Sequence, residues 1–431
     1  MSFEYFKDTL PNGLRVVTVE TPHLHTALLA VYVRTGSRHE TAANNGVSHF
    51  LEHLFFRGSE GWPDTVKMNS AVEEVGGNLN GVTTRDHGYY YTPLHPAHLD
   101  VGLEVLGDML TRPRLTDMEV ERNIILEEML DEVDEKGRDI DLDNLSKQLL
   151  FGDHPLALKI AGTVDSVKAL TLSQVKEHFA RHYVTGNLVF TVAGPVRHAD
   201  MLRLAEQAFA GIPRGAASTE SPPPPAAKGP RFHFVEHDEA QTEFRLNFPT
   251  VPEHHPDFAP LGLLRRLLDD GLSSRLPHEI VEKRGLAYSV HASLETFHDA
   301  GFMEIDAASA PEKASLVVAE ALRTLGTLCD DAVSEEELAR AKRRHRLLLD
   351  FSQDSPGELA GWFGGTELFR PPETFEQRAR AMEAQTPHTV REAARRYFHR
   401  DNLTVVAVGQ RKGIKALERV VAAAEGLPRA P

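Results

Sequence analysis

One short pattern occurs twice in this chain. Residues 179–196 read FARHYVTGNLVFTVAGPV, and residues 393–411 read AARRYFHRDNLTVVAVGQR. Each has a helix end with an aromatic stop, a short Asn-bearing turn, and an alternating β-branched strand closing on Gly194 or Gly409. The copies lie about 215 residues apart, each near the end of its half of a 431-residue chain. Between them, residues 213–231 (PRGAASTESPPPPAAKGPR) carry four consecutive prolines among Ser, Ala and Gly, a composition that favours an extended spacer over a packed core. A repeat on either side of such a spacer predicts duplication, and the length also exceeds what one hydrophobic core holds. The expected division is 1–213, a Pro-rich linker over 214–230, and 231–431.

Within each half, strands and helices come in runs rather than in strict alternation, which predicts two α+β halves. NGLRVVTVE and ALLAVYVRTG alternate like strands, the first opened by the turn pair Asn12-Gly13. Helical periodicity covers 98–113, 117–150, 257–270, 311–328 and 334–351.

Composition narrows the partners. With 47 basic and 63 acidic residues the net charge is −16, which disfavours nucleic acid and anionic membranes. No run of apolar residues is long enough to span a membrane. The single cysteine, Cys329, rules out an intrachain disulfide and a thiol-rich metal site, and its helical setting predicts a buried, inert thiol. The first residues, MSFEYFKDTLPNGL, lack a basic segment followed by an apolar run, so the expectation is a cytoplasmic protein, or a periplasmic one if a leader has been removed.

The chemistry concentrates in NNGVSHFLEHLFFRGSE, residues 44–60. Asn44, Asn45 and Gly46 supply cap residues, and Val47, Phe50, Leu51, Leu54 and Phe55 follow at helical spacing. On such a helix His49 and His53 lie one turn apart on one face, with Glu52 beside them. Two neutral imidazoles so placed can hold one Zn²⁺, and Glu52 would sit close enough to take a proton from water at the metal. The bland alternative is a solvated His-Glu-His face that needs no metal. A third ligand is on offer in TDMEVERNIILEEMLDEVDEK (116–136), an acidic helical segment opened by Thr-Asp. Glu121 and Glu128, seven apart, share a face there and Glu127 does not. Most such acidic runs are merely solvated.

HxxEH followed by 74 residues and the second Glu of ILEEM resembles the pitrilysin/insulysin family of zinc metallopeptidases, the inverted zincins. LPNGLRVV, GGNLNGVTTRDHGYYY (76–91), FGDHPLALKIAGT (151–163) and SSRLPHEIVEKRGLAYSV (273–290) fall in that family's order, so the resemblance spans the whole chain and is nearest to its small bacterial processing-peptidase-like members. It implies that His49, His53 and Glu128 hold one Zn²⁺ per chain, that Glu52 is the general base, and that Glu121 orients a ligand histidine. It also implies two homologous halves forming one half of a clam-shaped chamber that a second chain closes.

In the family an Arg–Tyr pair seven residues apart assists at the oxyanion. Tyr288 matches the tyrosine, but Val281 stands where the arginine belongs, and Arg284 is three positions away. The resemblance therefore implies the zinc-bearing subunit of a heterodimer whose partner carries the pair, with a homodimer as alternative. Asn80, in a strand-like segment that a peptide could extend, matches a substrate-binding position. The competing reading is a non-catalytic scaffold subunit keeping the fold: the intact His-Glu-His-Glu set opposes it, and Val281 favours it. A thermolysin-like reading needs HExxH, and Phe50 occupies the required place.

Overall fold

The computed structural model describes residues 3–225 and 227–430; Ala226, within the Pro-rich segment, lies outside the described residues. The chain divides into two compact units. The first comprises Met1–Met129, Leu158–Ser221 and Leu349–Glu373, and the second Leu130–Ala157, Pro222–Leu348 and Thr374–Pro431. Compared with a plain division at the Pro-rich segment, two pieces change places, one from each half of the chain.

The first unit is built on β1 (Glu4–Thr9), β2 (Arg15–Glu20), β3 (Ala27–Val33), β4 (Asn80–Thr83), β5 (Gly88–Leu94) and β6 (Leu188–Gly194), in the order β1-β2-β6-β3-β5-β4. The second holds β7 (Arg231–Glu236), β8 (Thr242–Thr250), β9 (Val290–Thr296), β10 (Gly301–Ser309) and β11 (Thr404–Gly409), in the order β7-β11-β8-β10-β9. In each sheet one parallel pair, β2 with β6 or β7 with β11, is followed by antiparallel neighbours throughout. The second sheet thus repeats the order β2-β6-β3-β5-β4, and β1 is an addition to the first.

The repeated sequence pattern marks the centre of each sheet. Asn187 Nδ2 donates to the His182 carbonyl at 3.0 Å, and Asn402 Nδ2 to that of Tyr397 at 2.8 Å, each closing the turn between helix and strand. Gly194 and Gly409 end the strands at φ of +153° and +155°, where an added Cβ would lie 2.5 Å from Ala27 or 2.8 Å from Thr242. Those are the first residues of β3 and β8. The two copies use the same hydrogen bond and the same close approach.

The exchanged pieces are equivalent too. Helix Leu142–Phe151 covers β11 and β8, while Pro356–Ala360 and the following turn of π-helix, Gly361–Gly365, cover β6 and β3. For this reason the helical periodicity over 117–150 does not describe one helix. Met118–Glu128 ends in a short 3₁₀ turn, and Val133 bridges Asp139 across a tight loop. Asp134 Oδ1 accepts from the amides of Lys136 and Arg138 at 2.9 and 2.8 Å, and Asp141 caps the next helix through the Asn144 amide at 2.7 Å. Asp side chains at turns outcompete helix continuation.

The start of the Pro-rich segment is anchored rather than free. Pro213 and Gly215 accept from Thr185 and Gly186 at 3.0 and 3.1 Å, the Ser218 amide donates to Asn187 at 2.6 Å, and Glu220 meets both Arg34 and His39. Cys329 is buried, and burial pushes its thiol up to about 12. Among the described residues, no helix is long and apolar enough to cross a membrane.

Candidate metal centre

Helix Val47–Phe55 buries Val47, Phe50, Leu51, Leu54 and Phe55 completely in the first unit's core. That seats the opposite face, with His49, Glu52 and His53, at a fixed height above the sheet. The expected caps differ. Neither Asn44 nor Asn45 caps the helix; instead the buried Glu40 carboxylate accepts from the amides of Gly46 and Ser48 at 2.7 and 2.8 Å and from Asn45 Nδ2 at 2.9 Å. A carboxylate at a helix N-terminus meets unpaired amides and the positive end of the dipole. Burial raises its pKa despite these bonds.

The two imidazoles face each other. Their Nε2 atoms are 3.3 Å apart, and the ring planes cross at 75°. Helix Met118–Glu128 brings two carboxylates to opposite sides of one ring. Its first residue follows Asp117, which adopts the left-handed conformation and makes no side-chain cap, contrary to the expected Thr-Asp cap. Glu121 Oε2 lies 2.8 Å from His53 Nδ1, and Glu128 Oε2 lies 3.6 Å from His53 Nε2 and 3.9 Å from His49 Nε2. Glu121 is buried and also takes Arg57, whereas the Glu128 side chain is 49% exposed.

This donor set fits a small divalent ion. Bonds of about 2.0–2.1 Å in a tetrahedral site require ligand atoms about 3.3–3.4 Å apart. The imidazole nitrogens stand at that separation, and a small rotation of the half-exposed Glu128 closes the rest. With Nδ1–H of His53 donating to Glu121, its Nε2 presents a lone pair towards His49. Three protein donors leave one position of a tetrahedron for solvent. His49, His53 and Glu128 form the one group of three metal-capable side chains among the described residues.

The electrostatics match. Burial, helped by the neighbouring His53, lowers the His49 ring to about 3, so it stays neutral and can donate its lone pair. Burial pulls His53 down as well, but the hydrogen bond to Glu121 and the charges of Glu128, Glu121 and Glu52 outweigh it and raise the ring. Burial acts to raise Glu121, yet its bonds to His53 and Arg57 hold it below its usual value. Burial thus keeps His49 neutral, while the surrounding carboxylates favour positive charge at His53.

Glu52 has two supports that the sequence reading missed. Thr83 Oγ1 donates to its Oε2 at 2.5 Å. Gly81, two residues earlier on the same face of β4, leaves room for it: a Cβ there would lie 2.9 Å from Glu52 Cγ and 2.9 Å from the Phe56 ring. The available signal was a glycine inside an alternating segment, which marks close approach. Burial raises the Glu52 carboxyl, and the Thr83 bond only partly offsets this.

Each remaining candidate has a local setting of its own within its unit. Asn80 opens β4 and turns its amide back to the Asn78 carbonyl at 3.2 Å. Tyr288 belongs to the second unit and is 92% exposed. Val281 packs on the second unit's core, and Arg284 pairs with the buried Glu320 at 3.2 Å.

The family model described as Insulinase (Peptidase family M16) matches residues 15–164, and one described as Peptidase M16 inactive domain matches 169–344. All five residues of the constellation fall in the first. An uncharacterised zinc protease of Mycobacterium bovis is 33% identical over 409 residues, covering 91% of each chain. The mitochondrial-processing peptidase subunit beta of Blastocladiella emersonii is 30% identical over 416 residues, 93% of this chain and 87% of that one. Among solved structures, a protease from Helicobacter pylori superposes with a TM-score of 0.88 at 23% identity, over 94% of this chain and all of the other. A chain of complex III2 from Candida albicans does so at 0.80 and 17%, over 97% and 99%.

Proposed function

The chain belongs to the M16 peptidase family, and from that membership we propose that it is a zinc-dependent endopeptidase hydrolysing peptides or short unfolded segments. The observation that carries the reading is the meeting of His49, His53 and Glu128 beside Glu52, with Glu121 behind the second ring. His49, His53 and Glu128 would hold the ion. Zinc, when bound, supplies Lewis-acid polarisation of a carbonyl and acidifies water.

The chain's own groups supply the rest. Thr83 occupies Glu52 Oε2, so Oε1 is the atom that takes a proton from the attacking water and returns it to the departing amine. Its burial-raised pKa suits a carboxylate that must both accept and release a proton near neutrality. β4 ends the first unit's sheet order, so an extended peptide can add to its open edge by main-chain hydrogen bonds, with Asn80 beside it. Binding through backbone tolerates varied side chains.

Val281 leaves Tyr288 without the arginine that accompanies it in the resembling family, and its side chain is spent on packing. We therefore assign the protein to one half of a two-chain chamber, a heterodimer with a homologous chain bearing the Arg–Tyr pair being favoured over a homodimer. The same valine is what favours the second reading, a scaffold subunit without catalysis.

The deciding experiment measures zinc content and peptide hydrolysis for the wild type and Glu52→Gln, alone and mixed with such a homologue. One zinc per chain, with hydrolysis lost in the variant, is expected. Absence of zinc, or unchanged hydrolysis in Glu52→Gln, leaves the scaffold reading. Equal rates with and without the homologue overturn the heterodimer.

A further inference from the structure

Away from the metal centre, the second unit holds a small polar cavity between helix Phe258–Leu268, the loop after it, and the first half of helix Glu335–Ser352. Its volume is about 120 Å³, several times a water's share of about 30 Å³. Glu337, Arg340 and Arg344 line it from one face of their helix, at spacings of three and four residues. Ala341 lies between them, too small to fill the space, and Arg266, Asp270 and Ser273 close the other side.

The charges here do not cancel within the protein. Asp270 Oδ2 is shared by Arg266 at 3.2 Å and Arg344 at 2.7 Å. Glu337 is already gripped by both ends of the Arg275 fork, at 2.8 Å each. Arg340, exposed at the cavity mouth, makes neither a hydrogen bond nor an ion pair among the described residues, its charge reaching only Glu337 one turn away, and the exposed Ser273 hydroxyl makes no hydrogen bond either. Three lining guanidinium groups, Arg266, Arg340 and Arg344, meet two lining carboxylates, 3 − 2 = +1, and Arg275 behind Glu337 and Arg265, 3.9 Å from Asp270 Oδ1, add positive charge around them, on a chain whose net charge is −16. Arg266 is also held in place by His345 Nδ1 at 3.2 Å, so part of the donor array is preset.

We infer that this cavity binds a small dianion of the phosphate class, either free phosphate or a phosphate monoester. Arg340 is its principal donor, and Ser273, Arg344 and Arg266 surround the remaining oxygens. Planar guanidinium forks match phosphate oxygens in pairs, and a lining with positive charge in excess, backed by further arginines, suits an anion of this class. The assignment does not depend on peptidase activity.

The test is calorimetric titration of the full chain with inorganic phosphate at fixed ionic strength set by chloride, with and without EDTA. EDTA separates this cavity from any phosphate held at the metal centre. Saturable binding that survives EDTA is expected, weakened at least about tenfold in Arg340→Ala, as for loss of one charge-assisted contact. Ser273→Ala should weaken it less. Phosphoserine in place of phosphate distinguishes the sources: tighter binding points to an esterified group, equal or weaker binding to the free ion. No binding in the wild type, binding that disappears with EDTA, or full affinity in a folded Arg340→Ala protein overturns the proposal. Circular dichroism and thermal unfolding of the variant establish that it is folded.

Discussion

Replacing Thr83 by Val keeps the shape and β-branching of the side chain and deletes one donor. The bond lost is the 2.5 Å contact from Thr83 Oγ1 to Glu52 Oε2. A hydrogen bond to a charged group contributes about 1.5–3 kcal/mol, and each 1.36 kcal/mol is a factor of ten, so kcat should fall about 10- to 100-fold. Because the bond orients the base and does not touch the peptide, KM should change little. The sign of the pH effect is also set. Thr83 lowers the Glu52 pKa against burial, so without it the carboxyl rises further and the acidic limb of the kcat/KM profile moves to higher pH. Thr83→Ser, which restores the hydroxyl, should recover most of the rate. The assay is steady-state cleavage of a fluorogenic peptide from pH 5 to 9, alongside zinc content and thermal unfolding. Wild-type kcat in the valine variant refutes the argument; so does a loss that serine does not rescue, or one explained by missing zinc or an unfolded protein.

Other consequences follow from the same geometry. Glu121→Gln removes the charge behind His53 Nδ1 and should weaken zinc affinity about 10- to 100-fold, read by competition with a chromophoric chelator. Gly81→Ala puts a methyl 2.9 Å from both Glu52 and Phe56, so activity should drop while stability falls by about 1–3 kcal/mol, measured by urea unfolding. Glu220 is raised by burial but held down to about 2 by its bonds from His39 and Arg34. Its stabilisation, about 2 kcal/mol after allowing for solvent screening, is complete above the unfolded carboxyl's pKa of about 4.3. It is lost as pH falls from there towards 2. Urea midpoints of the wild type and Glu220→Gln should therefore differ at pH 7 and converge in acid; a constant difference would remove Glu220 from the account.

Legibility tracked distance along the chain. Placing His49, Glu52 and His53 on one helical face needs only the 3.6-residue period, and the buried Phe50, Leu51 and Leu54 settle which face turns inwards. The duplicated turn was visible for the same reason, since Asn187 and Asn402 bond carbonyls only five residues back. Gly46 caps the helix as its flanking position suggests, but the carboxylate that satisfies the end amides is Glu40, which reaches them from outside the helix, where flanking residues carry no signal of it. The helical periodicity over 117–150 spans separate helices because the apolar pattern continues across a loop held by Asp134 and Asp141.

What the amino-acid order determined alone is the set of local geometries: a His-Glu-His face, an acidic helix with Glu121 and Glu128 in register, and two copies of one helix-turn-strand unit. These depend on bond lengths and helical pitch, which any chain of this sequence obeys. Only folding decided that Glu121 takes Nδ1 of His53 while Glu128 faces Nε2, that Thr83 and Gly81 frame Glu52, and that a helical piece of each half covers the sheet of the other. Those contacts join residues from 29 to 75 or more positions apart. Their partners are chosen by the packing of whole elements, and no local period encodes that choice.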